Sequence, residues 1–212
     1  MEIFTSETLG GTDAVLDQLQ NGDINLYPEG VGYLQRFYKP FAIFELPFIF
    51  KDANHWVNFF NSEMVGKWKN KLAENDLDVL KLQPLDPYRC LVTSKPVRSY
   101  DDFKGLKLRM FPNEMVISIW DYIGANVIVL EWTDVYEGLR TGLVDGVTGG
   151  IAGVFDMSFH EPARFILQTN EYPQGIAWMM NKSGYDELSN ENKEILNEAF
   201  NLAAISGNDN YA

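Results

Sequence analysis

IGANVIVLEWTDVYEGLRTGLVDG, residues 123–146, carries the signals that decide the fold. Gly124 closes a helix-like run that begins at Pro112-Asn113, since glycine adopts the left-handed backbone that ends helices at little steric cost. Residues 127–130, Val-Ile-Val-Leu, are continuously apolar, as in a buried parallel strand. Thr133 suits an N-cap for a helix through Leu139, Gly142 stops that helix, and residues 143–147 read as another short strand. Helix, strand, helix and strand in close succession predict an α/β protein whose sheets are covered by helices.

The same alternation extends outward. Upstream, residues 104–111 alternate Leu106, Leu108 and Met110 against Lys107, Arg109 and Phe111, a strand that places Arg109 near its carboxyl end. Residues 79–82 and 89–93 are strand candidates separated by a loop with Pro84 and Pro87, where the chain is expected to cross between lobes. A long amphipathic helix is expected over 53–74, with Trp56, Phe59, Phe60, Met64, Trp68 and Leu72 near one face as core. Further upstream, residues 2–5 read as a strand, 12–20 as a helix capped by Asn21-Gly22, and 24–27 as a strand followed by a loop with Pro28, Gly30 and Gly32. Downstream, Thr148-Gly149-Gly150 reads as a small open loop before a helix near 151–157. Residues 176–181 follow as a strand, and Ser189 caps a last helix that uses Ile195, Leu196, Ala199, Phe200 and Leu202.

Seventeen basic against thirty acidic residues give a net charge of −13, which repels phosphate backbones and anionic lipid surfaces, so no nucleic-acid partner is expected. The same field opposes small anions, so any acid site has to be built locally from buried arginines. No apolar run approaches the roughly 18 to 20 residues of a membrane span, and the opening MEIFTSETLGG lacks the basic and apolar regions of a secretory signal. A lone cysteine, Cys90, excludes an internal disulfide, and His55 and His160 have no second His or Cys at ligand spacing, so neither a metal site nor a cofactor is expected. There is no G-x-S-x-G, P-loop or strand-borne G-x-G-x-x-G, which argues against an enzyme.

Taken together, several blocks resemble the TRAP transporter solute-binding family, the DctP-like proteins. FELPFIFKDANH (44–55) is similar to the family's LDLPFLF passage, and TSKPVRSYDDFKGLKLR (93–109) to its segment ending in GLKIR. The stretch 123–146 follows its order of LGA, apolar strand, SEVY-type helix start and QTG-x-VDG, and FHEPARFI with the helix near 188–200 also fits. The resemblance implies a two-lobed periplasmic-binding-protein-like α/β fold with a ligand cleft between the lobes. Lobe I is expected at 1–86 and 175–212, and lobe II at 87–174. It also implies a strand and helix before residue 2 and further helices after the last, so the fold is expected to be incomplete at both termini. The implied role is that of a monomeric, periplasmic or otherwise extracytoplasmic subunit, not an enzyme. It binds a small organic acid and delivers it to the TRAP membrane permease without inserting in the membrane. A sensor-type relative signalling to a protein partner is the alternative.

The resemblance carries one principal ligand contact onto Arg109, the arginine closing GLKLR. A guanidinium holds a carboxylate by two parallel charge-assisted bonds, and strand carboxyl ends are where open α/β sheets bind ligands. The plainer alternative is a surface arginine paired with an acidic side chain. Arg89 matches a second family arginine, with a hinge salt bridge as its alternative. Trp132 stands where the family usually has a phenylalanine against the ligand, or else packs in the core. Glu29 falls in a loop where members often place polar groups that accept ligand hydroxyls or amines. Gly149 replaces the asparagine of the family's DGQENP, so that side-chain contact is absent. The N–H groups of Gly149 and Gly150 are candidates to replace it, and the lost bulk is expected to admit a wider ligand. Asp145 is expected to brace its own turn.

Overall fold

The computed structural model describes residues 2–5, 7–84 and 89–209. The chain forms two compact units, one of Met1–Phe44, Phe50–Leu85 and Gln174–Ala212, the other of Glu45–Ile49 and Asp86–Pro173. The lobe crossing expected at residues 86–87 lies outside the described residues. The short excursion Glu45–Ile49, placed within lobe I by the sequence reading, packs with the second unit.

In the first unit, helix α1 (Thr12–Asn21) buries Val15, Leu16 and Leu19, while Ala14 faces solvent. Gly22 ends the helix with φ +81°, its N–H returning to the carbonyls of Gln18 and Leu19. Strand β1 (Leu26–Gly30) takes in Pro28, Glu29 and Gly30, which the sequence suggests as loop. It lies at an edge, where a proline lacking its N–H is tolerated. Two 3₁₀ turns follow, and the long helix expected over 53–74 is in fact two. Asp52 caps α2 (Ala53–Phe60) and Ser62 caps α3 (Glu63–Ala73), each side chain accepting a backbone N–H. The break at Asn61-Ser62 turns Met64 outward. Strand β2 (Leu77–Pro84) and strand β8 (Gly175–Asn181) complete an antiparallel sheet in the order β1-β8-β2. Residues 2–5 join no strand, and Ile3 and Phe4 are exposed. The core is aromatic: Phe41, Phe44, Trp56 and Phe60 are all essentially inaccessible.

The second unit holds a five-stranded sheet in the order β5-β4-β6-β3-β7, from β3 (Arg89–Thr93), β4 (Lys107–Met110), β5 (Asn126–Val129), β6 (Gly146–Gly150) and β7 (Phe165–Leu167). Asn113 caps α4 (Glu114–Ile123), and Gly124 closes it at φ +104°. Strand β5 is parallel to β4 as its apolar run suggests, yet it is the edge strand, with Val129 half exposed. Asp134, not Thr133, precedes α5 (Val135–Thr141), after a 3₁₀ turn at Trp132–Asp134. Strand β6 begins three residues later than expected and runs through the supposed open loop, and all five of its residues are buried. Gly146 is required there: a Cβ would lie 2.7 Å from Thr93 Cγ2 and 2.8 Å from the Val92 carbonyl oxygen. Helix α6 (Ile151–Asp156) follows at once.

Before β8 and after it the chain returns to the first unit, where α7 (Lys182–Asp186) and α8 (Asn190–Asp209) close the sequence. Ser189 accepts the N–H of Asn192 as the expected cap, and Phe200 is buried against Trp178, but Ile195 and Leu202 are exposed. No helix among the described residues is long and apolar enough to cross a membrane.

Candidate functional site

Strand β6 sits between β4, parallel to it, and β3, antiparallel to it. The carboxyl ends of β4 and β6 and the start of β3 therefore share one edge of the sheet. Arg109 stands opposite Val147, and Arg89 opposite Gly150. Both arginines are about 95% buried, at the edge where parallel strands of open sheets present ligand groups.

The Nε of Arg109 donates to the carbonyl oxygen of Leu130 at 2.8 Å, and its guanidinium carbon lies 5.3 Å from the Trp132 ring centre. One bond to the backbone and one aromatic face fix the plane of the cation. Arg89 is set differently. A terminal nitrogen donates to the carbonyl and the hydroxyl of Thr148, at 2.7 and 2.9 Å, and the guanidinium lies 5.1 Å from the Tyr172 ring and 5.8 Å from that of Phe111. Burial works against its charge, but Tyr172, Glu171 and Glu45 outweigh burial and hold its proton more tightly than usual.

Trp132 is half-buried and packs edge-on against Phe159, with ring centres 4.9 Å apart. Its six-membered ring reaches the two glycines that flank the β6–α6 junction. A Cβ on Gly149 would lie 3.3 Å from Trp132 Cη2, and one on Gly153 would lie 3.4 Å from Cζ2. The bulk missing at Gly149 is thus occupied by the indole, which overturns the expectation of room for a wider ligand. The Gly149 carbonyl accepts from the Cys90 thiol at 3.5 Å, and the helix after Gly150 has only six residues. The anion donors expected at that helix start consequently gain little from its dipole.

Glu29 belongs to the first unit, on β1 opposite Ala177, and is not brought together with the other four by any single element. Its carboxylate accepts from the Gly30 N–H at 2.7 Å, the Tyr27 hydroxyl at 2.8 Å and the Thr12 hydroxyl at 3.2 Å. Burial pushes its pKa up and these donors pull it back only in part. Asp145 is structural but does not brace its own turn. It accepts from Lys95 Nζ at 3.0 Å and from the Lys107 N–H at 3.1 Å, tying β3 to β4, and these partners hold it below the usual carboxylate range despite burial.

Sequence reasoning misses the polar shell of Arg89. Glu171, 3% exposed, takes the Thr169 hydroxyl at 2.8 Å on one carboxylate oxygen, while the other has no hydrogen-bond donor among the described residues. Burial lifts its pKa, against the pull of Arg89 and Thr169. Asn113 accepts the N–H groups of Met115 and Val116 with its side-chain oxygen and donates with its nitrogen to the buried carboxylate of Glu45. TNEYP, residues 169–173, has no periodicity to betray a buried acid; a glutamate between a strand and a proline is its only hint.

The family model for bacterial extracellular solute-binding protein, family 7 (DctP), matches residues 1–212. Among curated relatives, the C4-dicarboxylate-binding periplasmic protein DctP of Vibrio cholerae is 28% identical over 80% of this chain and 51% of its own length. The ectoine-binding periplasmic protein TeaA of Halomonas elongata is 26% identical over 96% of this chain and 60% of its own. The chain thus spans about half to three fifths of these relatives. A TRAP periplasmic solute-binding protein from Roseobacter denitrificans, solved with β-D-glucuronate, superposes with a TM-score of 0.90 at 24% identity, over 98% of this chain and 69% of that one. One from Pseudomonas aeruginosa, solved with L-malate, gives 0.87 at 16% identity, over 98% and 72%. At these identities the likeness establishes the two-lobed α/β fold.

Proposed function

The chain belongs to bacterial extracellular solute-binding protein family 7, the DctP family of substrate-binding transport proteins, and we propose that it binds a small organic acid for a TRAP-type permease. Arg109 is the principal contact for the ligand's carboxylate. The observation that carries this is a buried guanidinium fixed by the Leu130 carbonyl and the Trp132 ring at the carboxyl edge of β4. In a protein of net charge −13, burial is what lets a single cation dominate the local field, because attraction grows as the surrounding dielectric falls. Arg89 supplies the second charge, and Trp132 covers the ligand body. Gly149 contributes through the space it gives Trp132, and Glu29 through the acceptor capacity its three donors leave.

The unit of Glu45–Ile49 and Asp86–Pro173 holds both arginines, and the unit of Met1–Phe44, Phe50–Leu85 and Gln174–Ala212 holds Glu29. The periplasm as compartment, a permease as partner, a monomeric state and a role without catalysis belong to the same reading. The ligand class follows from the relatives, whose bound or named solutes include uronates, malate and C4-dicarboxylates. Such an acid at a hundred times its dissociation constant stabilises the protein by about 2.7 kcal/mol, a melting shift of roughly 5 to 10 °C. A thermal-shift screen over uronates, dicarboxylates and keto acids is expected to show a shift of that order with one class. The variant Arg109→Ala is expected to lose it, with the unliganded melt still cooperative. Wild-type affinity in that variant refutes the assignment.

A further inference from the structure

Thr169 poses a counting problem beside Arg89. Its hydroxyl carries one proton, yet two acceptors lie within reach: the Glu171 carboxylate at 2.8 Å and the Arg89 carbonyl oxygen at 3.2 Å. With Glu171 ionised, Thr169 serves only one of them; the Arg89 carbonyl still keeps the Asn170 N–H, but the second Glu171 oxygen has no donor among the described residues. With Glu171 protonated, its O–H donates to Thr169 and Thr169 donates to Arg89, so both bonds form. The backbone holds this geometry in place. Asn170, at φ +51°, donates its N–H to the same Arg89 carbonyl at 3.2 Å, and Phe48 donates to the carbonyl of Glu171 at 2.7 Å.

Arg89 attracts the Glu171 carboxylate, Glu45 is a second carboxylate acting on Arg89, and Tyr172 lies against the guanidinium. An anionic ligand held by Arg109 and reaching Arg89 would add its negative charge to those of Glu171 and Glu45 beside Arg89. The cheapest response is for the least solvated carboxylate, with an incomplete hydrogen-bond set and a relay ready to accept its proton, to become neutral.

We propose that Glu171 takes up a proton when the organic acid binds, so that the protein captures the anion and a proton together. This rests on the reading that Arg89 meets the ligand's carboxylate. Glu171 acts here as a positioning residue: in its neutral form it leaves the charge of Arg89 to the ligand. By linkage, affinity rises as pH falls through the range in which Glu171 is ionised in the free protein, by up to about tenfold per pH unit.

The test is calorimetric titration with D-glucuronate, D-galacturonate, L-gulonate and orotate between pH 5 and 8, each in two buffers of different protonation enthalpy. The full chain is compared with Glu171→Gln, which keeps the shape and removes the titration. Net proton uptake by the wild type, absent in the variant together with its pH dependence, is the expected result. Uptake that persists in Glu171→Gln, or wild-type binding with no uptake at any pH, overturns the proposal and leaves organic-acid binding intact. The wild-type proton count stands by itself should the variant fail to fold. An acid found only in the uronate, dicarboxylate and keto-acid screen is titrated in the same way; if the folded wild type binds no acid of either set, the acid-binding reading falls and this proposal with it.

Discussion

The two units spend burial on different things. In the first, one dense aromatic cluster fills the interior: Phe44 alone meets the rings of Phe41, Phe50, Trp56, Phe59 and Phe60, each at a centre separation of about 6 Å or less. In the second, the core is mostly aliphatic, of Val92, Val135, Leu139, Val144, Val147 and Val154, and Glu45, Arg89, Arg109, Asp145 and Glu171 are buried as well. Buried charges are costly unless each finds a partner, so the second unit gives up stability to hold a charged edge. The first holds Glu29 as its part-buried acid and is otherwise expected to be set by packing. Stability and recognition are thus separable by substitution, and each of the following outcomes breaks or sharpens that separation.

The largest effect is expected from Trp56→Ala. Trp56 is fully buried, its indole N–H donates to the Phe44 carbonyl at 3.3 Å, and it packs so tightly on β8 that no Cβ fits at Gly175. Its truncation is expected to cost about 3–5 kcal/mol in denaturant unfolding. A loss below about 1 kcal/mol would mean that the aromatic cluster does not govern the first unit.

A smaller effect is expected in the second unit from Gly149→Asn, which forces the Trp132 ring to give way. Overpacking of this kind costs about 1–3 kcal/mol. Adding Trp132→Phe removes the atoms that the new side chain meets, so the double variant is expected to recover much of the loss. A coupling above about 0.5 kcal/mol in that cycle establishes that positions 132 and 149 share one volume, whereas simple additivity denies it.

The smallest effects are in pH dependence, and Asp145 in the second unit and Glu29 in the first have opposite signs. Asp145, held below its ordinary value by Lys95 and Lys107 despite burial, contributes stability that is present above about pH 3.9 and lost as pH falls through its lowered value. Glu29, raised by burial, contributes stability that is complete below about pH 4.3 and lost as pH rises through its raised value. Unfolding midpoints followed from pH 3 to 7 are therefore expected to lose part of their acid-side fall in Asp145→Asn and part of their neutral-side fall in Glu29→Gln. Matching slopes in the two variants would contradict the assignment.

The sequence by itself determined whatever depends on a few consecutive residues. The glycines after α1, α4 and α5 end those helices at positive φ, because left-handed backbone is a local steric matter. The α/β alternation, the family, and Arg109 on the strand before Asn113 are legible for the same reason, each carried by a contiguous motif. Tertiary structure alone decided which residues become neighbours across strands. The run 127–130 looks like a buried strand, but strand β5 (Asn126–Val129) forms the sheet edge, since burial depends on what lies alongside and an apolar run cannot report that. Thr148-Gly149-Gly150 looks like an open loop but is a buried strand, because the register with β3 puts Gly146 against Val92 and Thr93. Trp132 fills the space at Gly149, and Glu171 stands by Arg89, through contacts between segments far apart in the chain. Hydrogen bonding and periodicity are written within a few residues, whereas charge pairing and shared volume exist only once strand order and register have been set.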